Sequence, residues 1–424
     1  MSRSFPLSKF GVKFTKESGV LNLMHDLGAA LASGGDWIML GGGNPASIPE
    51  MEAVFRDSMR RTLDTPGKFE TLIGRYDAPG GNRELVDAIV SLLTREYGWP
   101  ITAANVALTS GSQTSFFYLF NALAGRGEGG SHKKILLPLT PEYIGYADSG
   151  LEPDLFLSSR PEIELIGDDQ FKYGVDFDAF QKQVTDEIAA ICVSRPTNPT
   201  SNVLTEDELS RLNEIAADRG IPLIIDNAYG TPFPNIIFSE SRPIWNENVI
   251  LTMSLSKLGL AGVRTGIVIA SEQVASAVAS MNAIVSLAPG SFGAALARDM
   301  VASGEVLRLS REVIRPFYER KCARALQWLR RELGGKGYRV HKPEGTFFFW
   351  LWFEDLPITS LELYERLKKR GVLVVPGQYF FPGLDEAWRH KDECIRLNYS
   401  QDDGDLERGI VILGEVLARA RGGG

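Results

Sequence analysis

Residues 249–266 read VILTMSLSKLGLAGVRTG. Val249, Ile250 and Leu251 make a short apolar run, the pattern of a buried strand. The run ends in Ser254-Leu255-Ser256-Lys257, and a loop punctuated by Gly259 and Gly262 leads to a second cation, Arg264. Open α/β sheets gather their ligands at the carboxyl ends of the strands, which is where Lys257 stands. Two hydroxyls ahead of the lysine and an arginine seven residues after it compose an anion cradle. A half-buried lysine beside another cation has a lowered pKa and hence a nucleophilic neutral amine. Taken alone, the segment fits a surface lysine at a strand end equally well.

Earlier segments repeat the pattern of apolar run followed by polar turn. Residues 222–225 form an apolar run that ends in Asp226-Asn227-Ala228-Tyr229-Gly230, and residues 188–193 lead into Ser194-Arg195-Pro196-Thr197-Asn198-Pro199-Thr200. Residues 106–108 lead into Thr109-Ser110-Gly111-Ser112-Gln113, then an apolar helix over 114–124. Residues 135–137 precede Pro141-Glu142-Tyr143. A capping box at Thr205–Glu208 opens a helix that ends at Gly220. This alternation predicts an α/β unit with a doubly wound, mostly parallel sheet. The Gly/Ser turn at 110–113 presents free N–H groups at a helix N-terminus, which suits a phosphate, although an ordinary N-cap accounts for Ser112 as well. Neither a P-loop nor a dinucleotide fingerprint is present, because no Gly-Lys-Ser/Thr follows and the Gly-x-Gly-x-x-Gly spacing is missing. Upstream, a helix is expected over 21–31, and Gly41-Gly42-Gly43-Asn44-Pro45 is a loop where backbone can approach a ligand closely. Downstream, helices are expected over 272–286, 305–333, 360–370 and 403–421, with strands over 338–341, 346–353, 372–375 and 394–397. These predict a smaller α+β unit, so the expected division is 1–70 and 316–424 in a small domain, and 71–315 in a large one.

A hydrophobic fraction of 44% with 23% charged residues places the 424-residue chain among globular proteins. The net charge of −8 argues against general affinity for nucleic acid or anionic membranes. No apolar run approaches the length of a bilayer span, and residues 1–14 lack an apolar signal core, so a cytoplasmic protein is expected. Three widely separated cysteines do not form a disulfide framework, and the four scattered histidines lack metal-ligand spacing.

Four strand ends thus deliver Gly111-Ser112-Gln113, Asn198, Asp226 with Tyr229, and Lys257 with Arg264 to one crevice. One cofactor calls for all of these together, pyridoxal 5′-phosphate. Its aldehyde takes a lysine, its ring nitrogen a carboxylate, its phenolic oxygen donors such as Asn198 and Tyr229, and its phosphate N–H groups, hydroxyls and a cation.

At these motifs, from about Gly41 to Tyr399, the chain resembles the class I/II aminotransferases of fold type I. The resemblance implies that Lys257 is the Schiff-base lysine and proton shuttle, Asp226 the partner of the pyridinium, and Tyr229 and Asn198 the contacts of the phenolic oxygen. It implies phosphate contacts from Gly111, Ser112, Gln113, Ser254, Ser256 and Arg264, and an aromatic stacked on the ring at Tyr143. Tyr76 is implied to reach the phosphate of a neighbouring subunit, which predicts a homodimer. Arg396 is implied to clamp the substrate α-carboxylate, with Gly43 and Asn198 beside it. Two departures stand out: Ser201 follows Asn198-Pro199-Thr200 where glycine is usual, at little expected cost, and Lys257 and Arg264 are one residue closer than in many members.

The implied reaction is ping-pong transamination between amino acids and 2-oxo acids. A dicarboxylate substrate needs a second cation. Residues 286–291, expected near the pocket, carry none, and Val20 and Leu21 suit an apolar wall, so valine, alanine, pyruvate and 2-oxoisovalerate are the expected substrates. The cofactor residues alone also fit another small-amino-acid aminotransferase, or a lyase or synthase on the same scaffold.

Overall fold

The run at 249–251 folds as part of the strand Val249–Ser254, buried at every position. The structure, a computed structural model, describes residues 5–335 and 337–422. Val249–Ser254 lies inside an eight-stranded sheet, between Leu223–Asp226 on one side and Gly266–Ile269 on the other. Ile188–Ser194, His132–Leu137 and Phe156–Ser158 continue the sheet in parallel beyond Leu223–Asp226. Gly266–Ile269 runs antiparallel to its two neighbours, Val249–Ser254 and Val106–Thr109. The expected mostly parallel α/β fold is therefore observed.

Side chains alternate across this sheet. Ile224, Ile250 and Val268 face one layer, where Phe116 and Phe120 of the helix Ser112–Leu123 pack with Val278 of the helix Glu272–Ser286. Leu223, Leu251 and Ile267 face the other, against the helices Arg83–Tyr97 and Phe292–Ser303. Helices on both faces bury both sides of the strands, which is why their sequences read as continuous apolar runs.

A second sheet of six strands joins Val375–Pro376, Cys394–Asn398, Phe348–Trp352 and Arg339–His341 to the hairpin Pro161–Ile166 and Gln170–Val175. That hairpin comes from the middle of the stretch expected to belong to the large domain, and the sequence reading missed it. The helical stretch expected over 305–333 is also not uniform. It is α-helix over Glu305–Leu309, widens to a π turn over Ser310–Ile314, and resumes over Arg315–Leu333. Pro316 has no N–H to give the preceding turn and sits where the ordinary helix resumes.

Ser201 departs from its expectation. Its φ of 65° is left-handed, a conformation that costs an L-residue about 1–2 kcal/mol. Its hydroxyl offsets this by meeting Thr346 Oγ1 and donating to the Phe348 carbonyl, each at 2.6 Å. Serine at 201 therefore ties the turn after Asn198 to the second sheet.

Candidate active site

The carboxyl ends of the parallel strands open into a cavity of about 660 Å³. Asp226 ends its strand in register with Ser194 and Thr252, so neighbouring strands deliver their polar groups side by side. Gly43, Ser112, Gln113, Tyr143, Asn198, Asp226, Tyr229, Ser254, Ser256, Lys257, Arg264 and Arg396 all reach the cavity wall.

Lys257 lies in the short 3₁₀ turn Ser256–Leu258 directly after its strand. Its Nζ donates to the Gly43 carbonyl at 2.8 Å and sits 5.1 Å from the centre of the Tyr229 ring. Burial, followed by the charges of Arg396 and Arg264, pulls its pKa down to about 7, with Asp226 opposing. A large fraction of the amine is therefore neutral near physiological pH.

Asp226 accepts from Tyr146 Oη at 2.8 Å and from the Ala228 N–H at 3.0 Å. Burial raises its carboxyl to about 6, against these hydrogen bonds and the Lys257 charge, which favour the anion. Tyr146 was missed by the sequence reading. It lies one helical turn after Tyr143, on the short helix Ile144–Ala147, and its ring meets that of Tyr143 edge-on at 5.5 Å. A second aromatic at that spacing was the available signal.

Arg396 comes from the other sheet, on Cys394–Asn398. Its Nη1 donates to Asn198 Oδ1 and its Nη2 to the Gly41 carbonyl, both at 2.7 Å, while its buried Nε has no hydrogen-bond partner among the described residues. The guanidinium lies 4.2 Å from the Phe348 ring centre. Asn198 thus engages Arg396 through its oxygen and keeps its amide nitrogen as a donor.

Two tight turns absorb the short interval between Lys257 and Arg264. These are Ser256–Leu258 and Ala261–Val263, after which Arg264 adopts a left-handed φ of 51°. Arg264 Nη1 reaches Ser256 Oγ at 3.2 Å, and Ser254 Oγ accepts from the Ser256 N–H at 3.1 Å. Gly111 closes the cradle with a φ of 93°, and a Cβ there would stand 2.3 Å from Arg264 Nη2. Gln113 is held across the cavity by a 3.1 Å bond to the Gly145 carbonyl.

Tyr76, expected to reach the site of a neighbouring subunit, is 82% exposed and lies outside its own chain's cavity. Two expectations are placed differently. Residues 286–291 lie outside the wall as well, following the end of the helix Glu272–Ser286, where Leu287 is exposed. The apolar wall comes instead from the helix Gly19–Ser33. It includes Val20, as expected, but not Leu21, and Leu23, Met24 and Leu27 complete it at helical spacing.

Comparison with known proteins accords with this geometry. The model of the family "Aminotransferase class I and II" matches residues 70–413. The chain belongs to the class I and II aminotransferases. It is 52% identical to the valine–pyruvate aminotransferase of Escherichia coli K12 over 97% of this chain and 98% of that one. The crystal structure of valine–pyruvate aminotransferase from Salmonella typhimurium LT2 superposes with a TM-score of 0.87 at 50% identity, covering 96% of this chain and all of that one. Aspartate aminotransferase from Thermus thermophilus, at 21% identity and a TM-score of 0.78 over 97% of this chain, shares the fold. Pyridoxal 5′-phosphate is the cofactor of this aminotransferase family, and the donor set fits it: a hydroxyl and guanidinium cradle that only glycine at 111 leaves open, a buried carboxylate, and a lysine amine.

Proposed function

We propose that this aminotransferase moves an amino group between valine and pyruvate, giving alanine and 2-oxoisovalerate, as the names of its close relatives suggest. The observation that carries the reading is a cavity in which Lys257 and Arg396 converge beneath the apolar face of Gly19–Ser33. The cations among its described lining residues are Lys257, Arg264 and Arg396, which leaves none for a side-chain carboxylate.

Arg396 holds the substrate α-carboxylate through its planar guanidinium, whose orientation Asn198 and Gly41 fix. Gly43 positions the Lys257 amine by accepting its hydrogen bond. Lys257 Nζ, neutral in large part near pH 7, takes the Cα proton as general base. Bound pyridoxal phosphate supplies the electron sink that stabilises negative charge at the substrate Cα. Asp226 would offer the ring nitrogen a negative charge, and Tyr229 and Asn198 would donate to the phenolic oxygen. Gly111, Ser112, Gln113, Ser254, Ser256 and Arg264 would hold the phosphate, and Tyr143 would supply an aromatic face for the ring.

We assign the cofactor-holding unit to residues 71–315, a range that contains the whole eight-stranded sheet, and the smaller unit to 1–70 and 316–424, with the hairpin at 161–175 docked onto it. The enzyme acts in cytoplasmic amino-acid biosynthesis as a homodimer. Among the described residues no helix is long and apolar enough to cross a membrane.

The purified holoenzyme tests the reading. Valine should bleach the cofactor's visible absorbance and pyruvate should restore it, with alanine and 2-oxoisovalerate as products. An unchanged spectrum with valine and alanine would sink the substrate assignment. Release of ammonia or carbon dioxide would favour a lyase on the same scaffold.

A further inference from the structure

Next to Asp226 lies a second carboxylate that the proposed chemistry leaves unused. Glu142 is only 1% exposed. Its Oε1 accepts from the Ser194 N–H at 2.9 Å, its Oε2 makes a short contact with Ser194 Oγ, and the Tyr143 N–H approaches Oε2 at 3.3 Å. Its own N–H donates to the Phe380 carbonyl at 2.8 Å, which pins its backbone to the second sheet's side of the site. Ser194 ends the strand beside that of Asp226, directly in register with it, and reaches the cavity wall.

Among the described residues, the ionisable groups whose charges act on Glu142 are Asp226, Tyr146 and Cys192, none of them a cation. A buried carboxylate without a cation, and with another carboxylate close by, strongly disfavours ionisation. Burial accordingly pushes Glu142 up to about 8 against the hydrogen bonds from Ser194, while Asp226 stands at about 6. In the neutral range one proton is retained by the pair, and it resides on Glu142.

We infer that Glu142 is a positioning residue that keeps its proton at neutral pH and donates it from Oε2 to Ser194 Oγ, which turns the Ser194 hydroxyl hydrogen toward the cavity beside Asp226. The geometry leaves the hydroxyl two states. With Glu142 neutral, Ser194 accepts from it and has its own hydrogen free for the cavity. With Glu142 ionised, its proton is lost to solvent and Ser194 has to donate back to the carboxylate. The cavity then loses a donor, and a negative charge appears beside Asp226. The first half of the inference concerns this chain alone. The second half, an effect on bound cofactor, rests on the proposed pairing of Asp226 with the ring nitrogen.

Glu142→Gln is the informative variant, because glutamine reproduces the neutral acid's two bonds to Ser194: Oε1 accepts from the Ser194 N–H, and Nε2 donates to Ser194 Oγ, at the cost of the longer 3.3 Å approach of the Tyr143 N–H. Infrared spectra of the cofactor-free protein across about pH 7–10, above the range in which Asp226 titrates, should show a buried carboxylic-acid C=O band that disappears as pH rises through about 8. E142Q should lack that band. In the holoenzyme, the cofactor absorbance of wild type should show a titration step near the same pH, and kcat/KM should fall several-fold through it. E142Q should show neither. Should E142Q fail to fold, Ser194→Ala serves: it should keep the infrared band and shrink the spectral step. Absence of the acid band in wild type, or its persistence in E142Q, overturns the inference and leaves the transaminase reading untouched. If valine and pyruvate prove not to be substrates, the infrared result still stands or falls on its own.

Discussion

Gly111 shows how much of the site depends on one missing atom. Its φ of 93° is left-handed, and a Cβ would sit 2.3 Å from Arg264 Nη2. Gly111→Ala should displace the guanidinium and weaken the charge-assisted hold on phosphate, worth about 1.5–3 kcal/mol. Cofactor affinity in an equilibrium titration should fall roughly 10–100-fold while the circular dichroism spectrum is kept; unchanged affinity would remove Arg264 from the phosphate site. Asp226 gives a prediction of opposite sign on stability. Its pKa is raised in the folded chain, to about 6, above an ordinary aspartate near 3.9. The stability linked to its proton is therefore complete below the unfolded value and lost as pH rises toward 6. Asp226→Asn should then make the cofactor-free protein more stable by about 2–3 kcal/mol at pH 8, with little difference near pH 3. Denaturant melts at the two pH values check this, and turnover by the loaded variant should collapse. At this scale the strand-end residues were legible, because each polar group directly follows an apolar run. Tyr146, Glu142 and Ser194 were not read as site residues. Their importance arises from hydrogen bonds between segments far apart in the chain, at 2.8 Å for Tyr146 with Asp226 and 2.9 Å for Ser194 with Glu142, and a linear pattern carries no such pairing.

The helix Gly19–Ser33 supplies Val20, Leu23, Met24 and Leu27 to the cavity wall. Ser18 caps it by accepting from the Leu21 N–H, and Gly34 ends it in a left-handed conformation, so its start and stop are both written in the sequence. The face that meets the cavity could not be read without the fold, which is why Leu21 was expected there and Leu23, Met24 and Leu27 were not. Leu23 also packs near Gly41, whose carbonyl holds Arg396. Leu23→Ala should enlarge the side-chain end of the pocket and raise the ratio of kcat/KM for leucine over valine about 10-fold, since one methylene in an apolar pocket is worth about 1–3 kcal/mol. An unmoved ratio would mean that another surface selects the side chain. The hairpin Pro161–Ile166 and Gln170–Val175 escaped for a different reason. The first strand alternates weakly, with buried Pro161 followed by mostly exposed positions, and the second strand's partner beyond the hairpin lies far along the chain at Arg339–His341. Strands held by distant pairing leave little local signal.

At the scale of the whole molecule, two proposed cofactor contacts lie off the wall of this chain's cavity: Gly111, which backs the Arg264 guanidinium, and, at the surface, Tyr76. That side chain is 82% exposed, and apolar neighbours are exposed with it: Ile73, Ile284 at 87%, Val285 and Leu287. Asn282 Nδ2 donates to the Pro79 carbonyl at 2.8 Å and so fixes the end of the helix Glu272–Ser286 against the loop that follows Tyr76. A shared apolar patch that joins these two segments suits a self-complementary contact between two copies. In such a dimer each site is composite, with Lys257 from one copy and Tyr76 from the other. Subunit mixing separates this from a merely structural Tyr76. Tyr76→Ala and Lys257→Ala homodimers should each be impaired, the first in cofactor affinity and the second in chemistry. A mixed dimer places the intact Lys257 of the Tyr76→Ala copy opposite the intact Tyr76 of the Lys257→Ala copy, and so rebuilds one complete site. Unfolding and refolding the two variants together should restore turnover and tight cofactor binding that neither has alone. If Tyr76 served its own chain, both sites of the mixed dimer would stay defective and mixing would restore nothing.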